Sequence, residues 1–277
     1  MGERNTRLGS RNPLIRAAGI TRDVLLPRGC AGCDRPDAVL CPQCRELFAQ
    51  CRPRALQGSV SGHAYAAAIY QGAARRAILS WKDHDDTELD GPFSEIMTGL
   101  LARTPLCDLA RPAPQRSTPR QSTPQRVLVV PAPSSRASMR GRGRRHMMPL
   151  ASAVSHELQV LGLDAQAVPA LASHTVGGRS VQQASSAQRA RRIGGHITVT
   201  RDATVEDRMV ILVDDIITTG ATLRQCAQTL QQAGAQVLGA LALAEAVSRD
   251  NGDEGTNGCT SSVTTPHMSG QLPSFAR

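Results

Sequence analysis

Residues 209–223, Met-Val-Ile-Leu-Val-Asp-Asp-Ile-Ile-Thr-Thr-Gly-Ala-Thr-Leu, constrain the fold of this chain more than any other stretch. The run 210–213 is apolar and β-branched, the pattern of a strand buried on both faces of a parallel sheet. It ends in two adjacent carboxylates, Asp214 and Asp215. A loop of small and hydroxyl-bearing residues follows, Thr218, Thr219, Gly220, Ala221 and Thr222, and from about 223 to 233 the spacing predicts a helix. In an open α/β sheet, ligands bind outside the carboxyl ends of the strands. Loop amides and the N-terminus of the next helix form an anion site there. Small residues let the backbone close around a phosphate, and threonine hydroxyls add donors. Ionised carboxylates only accept hydrogen bonds, so a pair beside such a loop suits ribose hydroxyls or a magnesium-bound polyol. The plainer reading of the same residues is a buried strand with an acidic turn.

A chain of 277 residues can bury one sizeable core with a small appendage. Aromatic residues make up only 2%, so that core must be built from Ala, Val, Leu and Ile. The formal charge of +9 is uneven: residues 111–150 hold nine arginines and no acidic residue. Phosphorylated ligands, nucleic acid or a solvated loop all fit such a stretch. No run of about eighteen apolar residues occurs, so no membrane span is expected. The polar, arginine-bearing residues 1–16 lack the apolar core of a secretory signal, and the expected location is cytoplasmic.

Eight cysteines in a chain of that location favour metal over disulfides. Cys30-Ala-Gly-Cys33 and Cys41-Pro-Gln-Cys44 are separated by seven residues. Two such knuckles supply four thiolates in the tetrahedral set of a closed structural zinc site. Four cysteines do not by themselves fix the metal, and an iron–sulfur cluster uses the same ligands. Gly32 suits the tight turn behind Cys33, and Cys51 is a fifth thiol that such a site does not need. A ribbon of this kind has too few apolar residues to fold without its metal.

In chain order, residues 1–22 read as a disordered N-terminus and 23–55 as the ribbon. A main domain spans 60–247, and 248–277 form a Gly/Ser/Thr-rich disordered tail. Residues 64–70 are strand-like, and 73–82 have helical spacing, ending in Trp81 and Lys82. Residues 84–86, His-Asp-Asp, lie in a charged loop. Residues 110–126 repeat Ser-Thr-Pro and cannot bury a core, which makes them a flexible basic insertion. A second buried strand, 127–130, runs into Pro131-Ala-Pro-Ser-Ser-Arg136. A helix is predicted over 149–161 with Leu150, Val154, Leu158 and Leu161 on one face. Further strands are predicted over 165–170 and 236–243. Residues 174–195 form a polar, glycine-bearing segment, a flap or a long loop.

The stretch Val-Asp-Asp-Ile-Ile-Thr-Thr-Gly-Ala-Thr resembles the phosphoribosyl-pyrophosphate (PRPP) loop of the type I phosphoribosyltransferases. With the cysteine knuckles before it, the whole order resembles the ComF family, competence-associated proteins also described as amidophosphoribosyltransferase-like. The resemblance covers roughly residues 24–246. It rests further on Leu26-Pro27, Lys82 after an apolar helix, Val130-Pro131-Ala132-Pro133, Arg142-Gly143, and Gln183 and Arg189 before Gly194-Gly195. It implies an α/β fold of the type I phosphoribosyltransferase kind, a mostly parallel sheet flanked by helices, plus a small N-terminal four-cysteine zinc ribbon. It implies Asp214 and Asp215 on the ribose hydroxyls as the catalytic pair, with residues 218–222 around the 5′-phosphate. Lys82, Ser134, Ser135 and Arg136 become candidates for the pyrophosphate, and Gln183 and Arg189 lie near the flap. The cofactors implied are structural Zn2+ and Mg2+ carried with PRPP.

The chain departs from that family where Arg-Gly-Phe-Asn-Gln or similar is expected, having Arg142-Gly143-Arg144-Arg145-His146, and where an Asn usually follows the flap arginine, having Arg192. Replacing an amide by a cation changes both hydrogen bonding and charge. A glycosyltransferase of the pentosyltransferase class would work by positioning and electrostatics. Magnesium and arginines would neutralise the departing pyrophosphate while the aspartates face an oxocarbenium-like ribose. The competing expectation is a binding module in DNA uptake, with single-stranded DNA or a competence helicase as partner. Aromatic stacking is lacking for that role, since no aromatic interleaves with the arginine-rich run, so strand binding would rest on phosphate contacts. A ligand-responsive transcriptional regulator lacks any helix-turn-helix. No membrane partner is expected, and a homo-oligomer is open.

Overall fold

The computed structural model describes residues 29–111, 126–133, 144–174 and 196–247. The predicted N-terminal and C-terminal tails and nearly all of the 110–126 insertion lie outside the described residues, as do Ser134, Ser135, Arg136, Gln183 and Arg189.

The elements follow in chain order. A short helix α1 (Pro42–Glu46) precedes strands β1 (Arg52–Ala55) and β2 (His63–Ala66). Helix α2 (Gly72–Asp83), a 3-10 turn (Thr87–Leu89), and helices α3 (Asp90–Leu101) and α4 (Leu106–Leu109) come next. Strand β3 (Val127–Pro131), helix α5 (Met147–Val160), strand β4 (Ala165–Ala167) and the pair β5 (Leu171–His174) and β6 (His196–Val199) lead to β7 (Met209–Ile217). Helix α6 (Ala221–Gln232) and β8 (Gln236–Glu245) complete the set.

Six strands form one sheet in the order β1-β2-β8-β7-β3-β4, with β5 and β6 a separate antiparallel pair. Every neighbour in the large sheet is parallel except β1, which runs antiparallel along the β2 edge. This is the mostly parallel α/β architecture expected from the sequence, with helices on both faces. The chain leaves β3 for β4 on one side and later returns to β7 on the other. The carboxyl ends of β3 and β7 therefore flank the place where strand order reverses, where a crevice opens.

Side-chain alternation splits the core into two layers. Ile211 and Val213 of β7 pack with Trp81 of α2, Phe93 of α3 and Leu150 and Leu158 of α5. Val210 and Leu212 pack instead with Leu223, Cys226 and Leu230 of α6 and with Leu171 and Ile197 of the β5–β6 pair. Helix α5 is buried through Leu150, Val154 and Leu158, one stripe at helical spacing, and it starts two residues earlier than predicted. Pro149 sits in its first turn, where its missing N–H costs nothing.

Three expectations need correction. Strand β7 does not stop at the acid pair but runs through it to Ile217, because β8 continues pairing as far as Ile217 opposite Glu245. The strand expected over 64–70 is shorter, His63–Ala66, with one isolated bridge from Ile69 to Glu245 beyond it. Strand β4 ends at Ala167 rather than at 170. Helix α3 is not announced by local pattern, since its glycines and proline mask the helical spacing, although Phe93, Ile96, Met97, Leu100 and Leu101 give it a buried face.

Candidate functional site

The carboxyl edge of β7 carries the candidate site. Successive residues on a strand face opposite ways, so Asp214 continues the face of Val210 and Leu212, and Asp215 that of Ile211 and Val213. Asp215 is 7% exposed. Its Oδ2 pairs with Lys82 Nζ at 2.5 Å and lies 3.3 Å from His146 Nε2. Lys82 comes from the last turn of α2, and His146 is the residue just before α5. Lys82, expected at the pyrophosphate, thus sits on the acid pair. His146 was not among the predicted site residues; it lies in the Arg144-Arg145-His146 departure, and only the folded chain shows that it points at Asp215.

A linked set of groups backs these contacts. Trp81 meets the His146 ring edge-on with centroids 5.0 Å apart, and its indole N–H donates to Asp90 Oδ1 at 2.6 Å. Arg144 donates to both oxygens of Asp90, at 3.0 and 2.9 Å, and to Asp85 at 2.5 Å. Asp85, from the charged loop 84–86, is thereby an ion-pair partner of an arginine.

Charge in the acid pair is divided. Burial and the neighbouring Asp215 charge push the Asp214 carboxyl up to about 8. Burial works on Asp215 in the same direction but is overcome by the His146 hydrogen bond and the Lys82 ammonium, which hold its carboxyl at about 2. Asp214 is half-buried, and its Oδ1 accepts the backbone N–H of Asp215 at 2.9 Å.

The loop after β7 turns directly into α6. Gly220 is its N-cap with φ of 71°, the left-handed region that favours glycine, and it brings no side chain to cap the helix. Thr219 Oγ1 accepts the Ala221 N–H at 3.3 Å, while Arg224 donates to the Thr219 carbonyl at 2.9 Å. Thr218, Thr219, Ala221 and Thr222 are exposed at this helix end. A helix N-terminus with oxygen donors beside it attracts an anion.

Along the same edge, an apolar cavity of about 160 Å3 lies against the end of β3. Pro131, Ala132 and Pro133 form one wall, Met147 and Met148 a second, and Leu171 of β5 a third. Its floor joins the acid pair's strand, since Ala132 N–H donates to the Val213 carbonyl at 2.8 Å.

The four cysteines come together as expected. The Sγ atoms of Cys30, Cys33, Cys41 and Cys44 all lie within 4.8 Å of one another. Four thiolates about 2.3 Å from one tetrahedral ion stand roughly 3.8 Å apart, so the cluster fits a structural zinc ion. Against burial, backbone N–H groups led by that of Cys41, 3.2 Å from the sulfur, hold the Cys30 thiol down at about 6. Burial and the neighbouring thiols push Cys44 up. Gly32 is needed here for space rather than for φ: a Cβ would stand 2.7 Å from Cys44 Sγ. Arg76 of α2 donates to the Gly32 carbonyl at 2.7 Å, tying the knuckle to the helix that carries Lys82.

The phosphoribosyl transferase domain family matches residues 148–260, from the start of α5 through the acid pair, its loop and β8. Residues 148–260 are thus similar to a phosphoribosyl transferase domain, and a four-cysteine cluster precedes them in the chain. No curated protein matches the chain in sequence. Among solved structures, one similar chain is an alanine mutant from an analysis of an invariant aspartic acid in HPRTs. It is 12% identical over 56% of this chain and 68% of that one, with a TM-score of 0.36. An allosteric regulatory enzyme of purine biosynthesis is 20% identical over 53% of this chain, with a TM-score of 0.27, and this chain spans only 26% of its length. A hypoxanthine phosphoribosyltransferase from Staphylococcus aureus is 16% identical over 60% of this chain and 71% of that one, with a TM-score of 0.32. Among the described residues, no helix is long and apolar enough to cross a membrane.

Proposed function

We propose that this chain binds PRPP with Mg2+ at the carboxyl edge of β7 and belongs to the phosphoribosyltransferases of the ComF type. The observation that carries the reading is the acid pair at the strand-order reversal, followed five residues on by Gly220 in the left-handed conformation and the N-terminus of α6. The 5′-phosphate would take the amides and hydroxyls of residues 218–222, and the pyrophosphate would lie toward residues 134–136. The oxygen-only donor set of carboxylates and hydroxyls suits Mg2+, which would supply positive charge against the pyrophosphate. Catalysis would be phosphoribosyl transfer to an acceptor nitrogen, with the apolar cavity beside β3 as the acceptor's seat. The cysteine cluster would hold structural Zn2+, with all four positions filled by protein and no role in the chemistry.

A calorimetric titration with PRPP, with and without Mg2+, tests this. Magnesium-dependent binding is expected, and its absence removes the reading. A DNA-uptake role, with single-stranded DNA or a helicase as partner, draws on the charge of +9. Binding of that kind would weaken steeply with salt, which a titration of oligonucleotide at two ionic strengths measures.

A further inference from the structure

The resemblance would set both aspartates on the ribose, yet their surroundings differ in kind. Asp215 turns away from α6, toward α2 and α5, where Lys82 and His146 converge on one oxygen. Each of these partners is itself held. His146 is 3% exposed and packs on Trp81, and Trp81 is fixed by Asp90, which Arg144 grips with two hydrogen bonds. Lys82 emerges from a helix whose buried face includes Ala74, Ala77, Ile78 and Trp81. Asp214 has the opposite aspect: it is half-buried and lies on the α6 face of the sheet, the face that carries the glycine-bearing loop and the β5–β6 wall of the apolar cavity.

We propose that the acid pair is divided in role: Asp214 alone meets the bound pentose, and Asp215 is a positioning residue anchored internally by Lys82 and His146. This rests on the phosphoribosyl-binding reading above. The physical ground is competition. A sugar hydroxyl approaching Asp215 Oδ2 would have to displace an ammonium at 2.5 Å in a largely desolvated spot, where a charged pair is far stronger than a neutral hydrogen bond. What Asp215 does instead is fix the end of β7. Its pairing sets where the next residues leave the sheet, and so where the phosphate loop and the Asp214 carboxyl stand. Lys82 thereby becomes the counter-ion of the protein's own carboxylate. His146, which replaces an amide at the family's motif, becomes the second hand on it.

The test compares Asp214→Asn and Asp215→Asn in the full chain by calorimetry with PRPP and Mg2+, by thermal unfolding without ligand, and by emission from Trp81, the only tryptophan. Asp214→Asn is expected to lose about tenfold to a hundredfold in affinity, to keep the parent's emission, and to unfold at neutral pH no lower than the parent, since the neutral amide removes a carboxyl that burial pushes up. Asp215→Asn is expected to unfold several degrees lower and to shift Trp81 emission, because Lys82 is left without its carboxylate and His146 faces a neutral amide in place of a charged acceptor. Adding Lys82→Met to Asp215→Asn should restore most of the lost unfolding temperature, since the orphaned charge is then gone. The proposal is overturned if Asp215→Asn unfolds and emits like the parent, if Lys82→Met restores nothing, or if Asp214→Asn binds as tightly as the parent. Should the parent itself not bind PRPP, the phosphoribosyl reading falls, and the unfolding and emission arms still decide the anchor.

Discussion

Asp214 and Asp215 are chemically identical neighbours, and their surroundings push them apart. A free aspartate titrates near about 3.9, so Asp214, raised to about 8, keeps a proton in the folded chain that the unfolded chain has released. The sign follows from linkage: stability contributed by Asp214 is complete below about pH 4 and is lost as pH rises through about 8. Asp215 works the other way, with a contribution present above about pH 4 and lost as pH falls toward 2. Ligand binding inherits the first of these. A magnesium-bearing ligand that favours the ionised Asp214 must expel its proton, so affinity for PRPP with Mg2+ should climb with pH up to about 8 and then level. Calorimetry at pH 7 in two buffers of different ionisation heat should show net proton release on binding. Affinity that is flat from pH 6 to 8 would mean that Asp214 does not meet the ligand.

At the scale of elements, the site is a junction of strand, loop and helix, and its shape depends on one backbone conformation. Gly220 sits at φ of 71°, and a Cβ there would stand 3.1 Å from Arg224 Nη1. Gly220→Ala should therefore cost about 1 kcal/mol in the unfolding free energy. Because the strained residue is the N-cap of α6, the same change should weaken binding of inorganic phosphate at the loop; chemical denaturation and a phosphate titration measure the two effects. The strand before the loop is equally particular. Strand β7 carries its pairing with β8 through both aspartates to Ile217, which holds the acid pair on a rigid element rather than on a loose turn.

At the scale of the molecule, the cysteine knuckle is part of the main core. Cys30, Cys41 and Cys44 are buried in the same cluster as α2, α3 and α5. Phe48, just after α1, meets Phe93 with ring centroids 5.5 Å apart, Phe93 meets Trp81 at 5.3 Å, and Trp81 meets His146. Phe48, Phe93 and Trp81, with the His146 ring, thus run from the knuckle to the acid pair. Replacing Cys30 and Cys33 by Ser should remove about one zinc ion per chain and lower the unfolding temperature of the whole domain, not of the N-terminus alone. Metal analysis with a thermal scan decides it: unchanged metal content would refute the metal site, and an unchanged scan would refute the shared core.

Local chemistry made much of this legible in sequence. The knuckles, the buried strands of the parallel sheet and the loop after the acid pair each declare themselves within about fifteen residues, because cysteine spacing, β-branched runs and small turn residues act at short range. Helix α3 was hidden because its helical pattern is interrupted by Gly91, Pro92 and Gly99, and its burial depends on a face that only packing reveals. The site was half visible. Asp214 and Asp215 stand next to each other in the chain, but what separates them is the pleat of β7 and the arrival of Lys82 and His146 from residues 133 and 69 positions away. Sequence by itself determined the strand, the acid pair, the small-residue loop after it and the four thiols, all products of local spacing. Tertiary structure alone decided which carboxylate is caged and which stands half-open, because charge is set by neighbours in space.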